Sequence, residues 1–240
     1  LITSGGRDVG VDLSVKTLYT ASNAPDVLND YRVLAFANRP VPDWSVGRVQ
    51  RTGIGGKYGH VMGLLRSIPS GKRYGFVLGG LDGVQISAES LLLDLRPSLV
   101  IATPPAMLQS TPTGTTFYSN MSAAVDPDES VTYLFGGDQN LSGYTNELRR
   151  VTASDTGAQA NLIVEQLAVP LVPRPAARSQ AAMVVALAPK RVVVIGGRNA
   201  ELTGAPIFDD AWVLCLEDVD AGPKCPPGSR LKWNRVVNSG

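Results

Sequence analysis

Histidine is almost missing from this chain: its 240 residues include one, His60. A single imidazole excludes a histidine-rich zinc centre and a copper site built on two histidines. No Gly-x-Ser-x-Gly turn presents a nucleophilic serine. The acidic residues Asp126, Asp128 and Glu129 lie at a Pro turn, where we expect them to face water rather than bind calcium. We therefore expect no catalytic residue, no metal and no cofactor.

Long hydrophobic runs and an excess of charge are also absent. The longest apolar runs have the length of strands and are broken by Gly, Pro or charged residues, so no transmembrane segment is predicted. Lysine and arginine total 22, aspartate and glutamate total 21, and the net charge is +1. The basic residues are scattered and form no stripe that could follow a phosphate backbone. Nucleic acid is therefore not expected as a partner.

Cysteine is scarce as well, and its two occurrences leave two interpretations open. Cys215 and Cys225 could form a disulfide across the loop before Trp233, which would stabilise the fold by about 2 to 3 kcal/mol. Alternatively, Cys215 is a reduced and buried apolar residue, as is usual in the cytosol. Asn120 and Asn140 fit the glycosylation pattern, so the compartment stays open, with a cytoplasmic or cytoskeletal location slightly favoured.

Glycine is abundant, and four diglycine pairs each end an apolar run. The pairs are Gly5-Gly6, Gly79-Gly80, Gly136-Gly137 and Gly196-Gly197. Their first glycines are 74, 57 and 60 residues apart, a spacing typical of stacked supersecondary units. We expect glycine at these positions because the backbone approaches closely or adopts a positive φ.

A matched segment lies upstream of three of the pairs. Its polar third residue is His60, Asn120 or Gln180, at intervals of 60 residues. This equivalence predicts a structural hydrogen-bonding role between units for His60, rather than a role as a catalytic base. A turn containing Pro or Gly then separates the segment from the run that ends in the diglycine. Each unit is therefore predicted to begin with a two-stranded hairpin.

Two more strands are predicted after each diglycine. An acidic or polar pair opens the third strand, at 29–30, 89–90, 146–147 and 209–210. The fourth strand lies at Trp44 and at Trp233 in the first and last units, with weaker versions at 98–101 and 161–164. Each unit is thus predicted as a four-stranded antiparallel sheet. The approximate unit boundaries are 1–52, 53–112, 113–170 and 171–240.

This combination resembles the kelch repeat of the β-propeller, in the broad form shared with the central domain of galactose oxidase but without its catalytic site. The resemblance spans essentially the whole chain and rests on the diglycine, the acidic pair and the tryptophan of the fourth strand. It implies an all-β fold of radially arranged blades. The second and third units lack the tryptophan, and the first carries an insertion from Arg7 to Leu28. Four units imply part of a larger ring, with a four-bladed ring as the alternative.

The resemblance implies a scaffold that binds other proteins within a multi-subunit complex. The loops after the diglycines vary most, and variable loops on a repeated frame usually carry recognition. The candidate partner-binding residues are Arg7, Asp8, Asp82, Asp138, Gln139, Asn140, Arg198 and Asn199. The insertion is the strongest single candidate, since loops of that length are often functional. The alternative is a kelch-fold enzyme or lectin-like module that binds a sugar or small metabolite at the channel mouth, where some of these side chains could converge.

Overall fold

Strands account for the regular secondary structure of the described residues. The computed structural model describes residues 2–4, 31–33, 48–49, 58–81, 85–87, 90–94, 117–126, 130–139, 143–156, 159–170, 173–186, 190–201, 207–217, 225 and 230–236. These residues contain fourteen strands and no helix. Within the same ranges, no helix is therefore long and apolar enough to cross a membrane. The prediction of an all-β chain is confirmed.

The strands form four antiparallel sheets, and in each sheet neighbours along the chain are neighbours in space. The first two sheets have three described strands each: β1 (Ile2–Ser4), β2 (Tyr31–Val33) and β3 (Arg48–Val49), then β4 (Val61–Arg66), β5 (Arg73–Leu78) and β6 (Ser90–Asp94). The third sheet contains β7 (Ser122–Val125), β8 (Thr132–Phe135), β9 (Leu148–Thr156) and β10 (Gln159–Gln166). The fourth contains β11 (Ala182–Ala186), β12 (Arg191–Ile195), β13 (Ala211–Cys215) and β14 (Trp233–Val236).

The predicted order of strands within a unit agrees with these sheets. Gly79, Gly136 and Gly196 each follow directly after the second strand of a hairpin, at the ends of β5, β8 and β12. The fourth strands predicted at 161–164 and at Trp233 are β10 and β14. Gly5, Gly6, Trp44 and the stretch 98–101 lie outside the described residues.

The third sheet packs between the second and the fourth. Leu134 on β8 joins a core cluster with side chains of the second sheet. Its neighbours Tyr133 and Phe135 join a separate cluster with side chains of the fourth sheet. The division follows from the period of two along a strand, which sends successive side chains to opposite faces. Because both faces are covered, all four residues of β8 are buried.

Trp233 lies at the centre of the packing between the third and fourth sheets. It is 1% exposed, and its ring meets that of Phe135 edge-on with the centroids 5.6 Å apart. Such a pair contributes about 1 kcal/mol beyond its buried area. On the opposite face of the fourth sheet, Val184 and Ile195 are 52% and 50% exposed.

A disulfide joins Cys215, the last residue of β13, to Cys225. Both cysteines are fully buried, and Val213 belongs to the same small cluster. Of the two interpretations left open by the sequence, the structure has the bonded pair. The bond therefore ties the end of the third strand of this sheet to the segment that leads to β14.

Candidate functional site

The diglycines gather at one end of the second, third and fourth sheets, here called the diglycine edge (residues 58–60, 79–81, 118–121, 136–139, 178–181 and 196–199). At this edge, a residue before each first strand forms a backbone bridge to the residue after each diglycine. The three bridges are Tyr58 with Leu81, Ser119 with Asp138, and Ser179 with Arg198. These bridges identify equivalent positions in the three sheets.

A ladder of backbone hydrogen bonds connects the sheets along this edge. The amide of Asn120 donates to the carbonyl of Gly59 at 2.7 Å, and the amide of Gln180 donates to the carbonyl of Asn120 at 3.0 Å. All three residues have a left-handed backbone, with φ of +65° at Gly59, +53° at Asn120 and +56° at Gln180. A glutamine with positive φ is uncommon. In this conformation its amide joins the fourth sheet to the third, together with the hydrogen bond from the amide of Gly137 to the carbonyl of Arg178.

The ladder corrects the predicted equivalence of His60 with Asn120 and Gln180. The residue of the second sheet that is equivalent to Asn120 and Gln180 is Gly59, so the prediction was wrong by one residue. The bridged positions Tyr58 and Ser119 are 61 residues apart, whereas the constant spacing of 60 holds only between the third and fourth sheets. Sequence comparison alone could not reveal this extra residue, because the polar side chain of His60 stood at the expected interval.

The diglycines have an unusual backbone, and the first glycine of two pairs lies in close contact with the next sheet. All six described glycines of these pairs have positive φ, between +62° and +115°. A Cβ on Gly79 would lie 2.5 Å from the carbonyl oxygen of Tyr118 in the third sheet. A Cβ on Gly136 would collide in the same way with the carbonyl oxygen of Arg178 in the fourth sheet. Glycine is therefore required here for both the conformation and the space.

Asp138 was predicted as a contact residue in the loop after its diglycine, but it does not project from the diglycine edge. It is fully buried, and its Oδ1 accepts a hydrogen bond of 2.7 Å from the hydroxyl of Ser119. Its Oδ2 accepts from the side-chain Nδ2 of Asn120 at 3.2 Å. Asn199 is also buried, and its side chain donates to the carbonyl of Ala177 at 2.9 Å. Both residues serve the packing of the edge, so the expectation that they are exposed for contact was wrong.

Arg178 and Asp210 form a buried ion pair that the sequence did not single out. The Arg178 side chain is completely buried, and its two terminal nitrogens bond both carboxylate oxygens of Asp210. The guanidinium also donates to the carbonyl of Gly196 at 2.8 Å and stacks on Phe208. Burial alone would raise the pKa of Asp210, but hydrogen bonds from Arg178 and Trp212 outweigh it and hold that pKa below its usual range. The pair fixes the start of β13 to the diglycine edge.

The accessible part of the edge lies on the third and fourth sheets. Gln139 and Gln180 are exposed, and Arg198 is partly exposed. Ile207, which forms a backbone bridge with Arg198, is 76% exposed. Ile207 was not among the predicted contact residues, although it lies between Pro206 and Phe208, directly before the acidic pair at 209–210. The loops of the two sheets also touch, because the amide of Gly143 donates to the carboxylate of Glu201 at 2.7 Å.

Other predicted residues fall outside the described part of the chain. Arg7, Asp8, Asp82, Asn140 and the insertion from Arg7 to Leu28 belong to this group, so a convergence of Arg7 and Asp82 with the remaining candidates stays a prediction. Within the described ranges, no group of three histidine, cysteine or acidic residues could hold a metal ion.

Two further carboxylates join neighbouring sheets away from the diglycine edge. Asp126 is buried and lies 2.7 Å from the ammonium of Lys190, so the expectation that it faces water was wrong. Asp155 at the end of β9 accepts hydrogen bonds from Ser67, at 2.5 Å, and from Ser70, and these chiefly lower its pKa to about 2. Tyr74 adds a third bond of 2.9 Å. Both carboxylates therefore act in the packing of the sheets.

Comparisons with known proteins give similarity of fold only. No family model and no curated protein matches the chain. A chain from a cryo-EM structure of RAG in complex with one melted RSS and one unmelted RSS is similar, with a TM-score of 0.59 and 16% identity over 95% of this chain. The similarity covers 62% of that longer chain. The structure of YjhT has a TM-score of 0.46 and 13% identity, over 91% of this chain and 78% of YjhT.

Proposed function

We propose that this chain is part of a kelch-type β-propeller and acts as a non-enzymatic scaffold that binds other proteins through its diglycine edge. Three observations support the propeller. Each sheet is local in sequence, the second, third and fourth sheets pack face to face, and the same backbone ladder joins the second to the third and the third to the fourth. Repetition of one supersecondary unit with the same contact to its neighbour is the pattern of such repeat folds.

The observation that carries the scaffold role is the contrast between the inside and outside of the diglycine edge. Inside, the carboxylates of Asp138 and Asp210 are held by partners within the chain. Outside, Ile207 is 76% exposed next to the partly exposed Arg198. Arginine is enriched in binding hot spots, and an exposed apolar side chain beside it on a rigid frame adds apolar contact area.

The experiment is a pull-down from native extract with a matched pair of variants. Ile207→Glu places a charge at the diglycine edge, and Ile68→Glu places the same charge in the β4–β5 turn, where Ile68 is 78% exposed. We expect Ile207→Glu to lose partners that wild type and Ile68→Glu retain, with all three proteins folded. Equal recovery by all three would contradict the proposed surface, and loss by Ile68→Glu alone would move it to the opposite end of the sheets.

A further inference from the structure

Two buried polar groups at the diglycine edge of the fourth sheet, on residues joined by a backbone bridge, have no hydrogen-bond partner among the described residues. Ser179 is 1% exposed, and its hydroxyl makes no hydrogen bond within the described residues. The Nε of Arg198 is buried and likewise has no partner among them. Buried polar groups of folded proteins almost always have a partner, and a guanidinium can only donate. The two residues are therefore arranged to receive an acceptor.

The third sheet shows which acceptor this position takes. Ser119 and Asp138 form the equivalent bridge there, and the hydroxyl of Ser119 donates to the Asp138 carboxylate at 2.7 Å. Residues paired directly across two antiparallel strands have side chains on the same face of the sheet. Arg198 occupies the position of Asp138 in the fourth sheet, so the serine remains but the carboxylate is replaced by a cation. A carboxylate beside Ser179 would therefore reproduce the pair of the third sheet.

We propose that Ser179 and Arg198 form a carboxylate-binding site, and that an acidic side chain of a partner protein occupies it. The identity of the carboxylate as a partner's rests on the proposed function. The Nε of Arg198 is covered, but the residue is partly exposed, so its side chain can move outward and admit a group, and the neighbouring Ile207 offers apolar contact to the rest of the partner. Arg178, which precedes Ser179 in the chain, is not available to bind the carboxylate because its charge is already paired with Asp210. The carboxylate of Glu201, close to Arg198 in sequence, accepts a hydrogen bond from the amide of Gly143 instead of from Arg198 Nε.

The test follows the Arg198 Nε–H resonance by NMR while sodium acetate or the peptide Ac-Gly-Glu-Gly-Glu-Gly-NH2 is added. Sodium chloride at matched ionic strength is the control. We expect saturable shifts with acetate and with the peptide and none with chloride. Ser179→Ala should weaken acetate binding about tenfold, because one hydrogen bond to a charged group is lost. Arg198→Lys should weaken it as well, since an ammonium lacks the planar fork of the guanidinium.

Arg198→Asp supplies the decisive variant, because it restores the pair seen in the third sheet. It should abolish binding of acetate and peptide and melt at or above the temperature of wild type. A melting temperature below that of wild type, or acetate binding that persists, would contradict the site. So would the absence of a saturable shift in wild type.

Two outcomes separate the source of the carboxylate from the scaffold role. A peptide that binds no more tightly than acetate would overturn the partner side chain as occupant in favour of a small carboxylate. A wild-type protein that binds neither probe, but still loses partners on Ile207→Glu, would overturn this inference and leave the proposed function intact.

Discussion

Replacement of Gly136 by alanine tests how tightly the third and fourth sheets are joined. Gly136 has a φ of +66°, and an added Cβ would collide with the carbonyl oxygen of Arg178. That carbonyl also accepts the amide of Gly137 at 2.9 Å. Gly71 in the β4–β5 turn is the matched control, because its φ is +71° and a Cβ there would meet nothing within 4 Å. The two variants therefore share the backbone penalty and differ in the contact.

The expected costs follow from these contacts. A left-handed alanine costs about 1 kcal/mol, which is the whole effect expected for Gly71→Ala. In Gly136→Ala, overpacking against a backbone atom adds about 1 to 3 kcal/mol. A weakened hydrogen bond between the sheets adds about 1 kcal/mol. The two variants should therefore differ by about 2 to 4 kcal/mol in the free energy of unfolding. Gly196→Ala should fall between them, since its added Cβ would lie 3.2 Å from the carbonyl oxygen of Phe208.

Urea unfolding followed by far-UV circular dichroism measures this difference directly. The three alanine variants are compared with wild type at the same pH, and the urea midpoints are converted into free energies of unfolding with a common slope. Equal destabilisation by Gly136→Ala and Gly71→Ala would show that the positive φ accounts for the glycine alone. The close contact between sheets would then have no energetic role, which would contradict the account of the diglycine edge.

Three other changes have defined outcomes. Asp210→Asn leaves the buried Arg178 without its counter-charge and should destabilise the fold by about 3 kcal/mol in urea unfolding; an unchanged midpoint would show that the pair is dispensable. The folded pKa of Asp155, about 2, lies below its ordinary value of 3.8, so its contribution is complete above about pH 4 and is lost as the pH falls through 2. Asp155→Asn should therefore lose less stability than wild type between pH 5 and about 2, and parallel pH profiles would refute this. Cys215→Ser with Cys225→Ser should cost about 2 to 3 kcal/mol in thermal unfolding under non-reducing conditions, whereas an equal melting temperature would argue against a bond that constrains the chain.

The all-β class and the strand order within a sheet could be predicted from the sequence because their signals are local and repeated. Apolar runs that end in Gly79, Gly136 and Gly196 mark the second strand of each hairpin, and the acidic pairs mark the third. Glycine, aspartate and apolar runs of strand length determine backbone conformation and alternating burial locally. Their effect can therefore be predicted without knowing which other segment they contact. The alignment of the second unit with the third at His60 could not be predicted, since the sequence does not show that the spacing between these units is one residue longer.

The surface could be predicted less well, because exposure depends on which sheet covers which face. Asp138 and Asn199 follow diglycines and look like loop residues, yet both are buried by contacts that exist only after folding. Ile207 differs from its expected exposure in the opposite direction, since an apolar side chain is expected to be buried but Ile207 is 76% exposed. Arg178 precedes a strand, and nothing near it in sequence indicates its pairing with Asp210, 32 positions away.

Site-specific photo-crosslinking tests the scaffold role most directly. A benzoylphenylalanine at Gln139 or Gln180 would sample the diglycine edge of the third and fourth sheets, whereas one at Ile68 would sample the opposite end of the second sheet and one at Arg150 an exposed position within β9. After irradiation in native extract, we predict discrete protein adducts from Gln139 and Gln180, with the same adducts absent from Ile68 and Arg150. Adducts that form only from Ile68 or Arg150 would contradict binding through the diglycine edge.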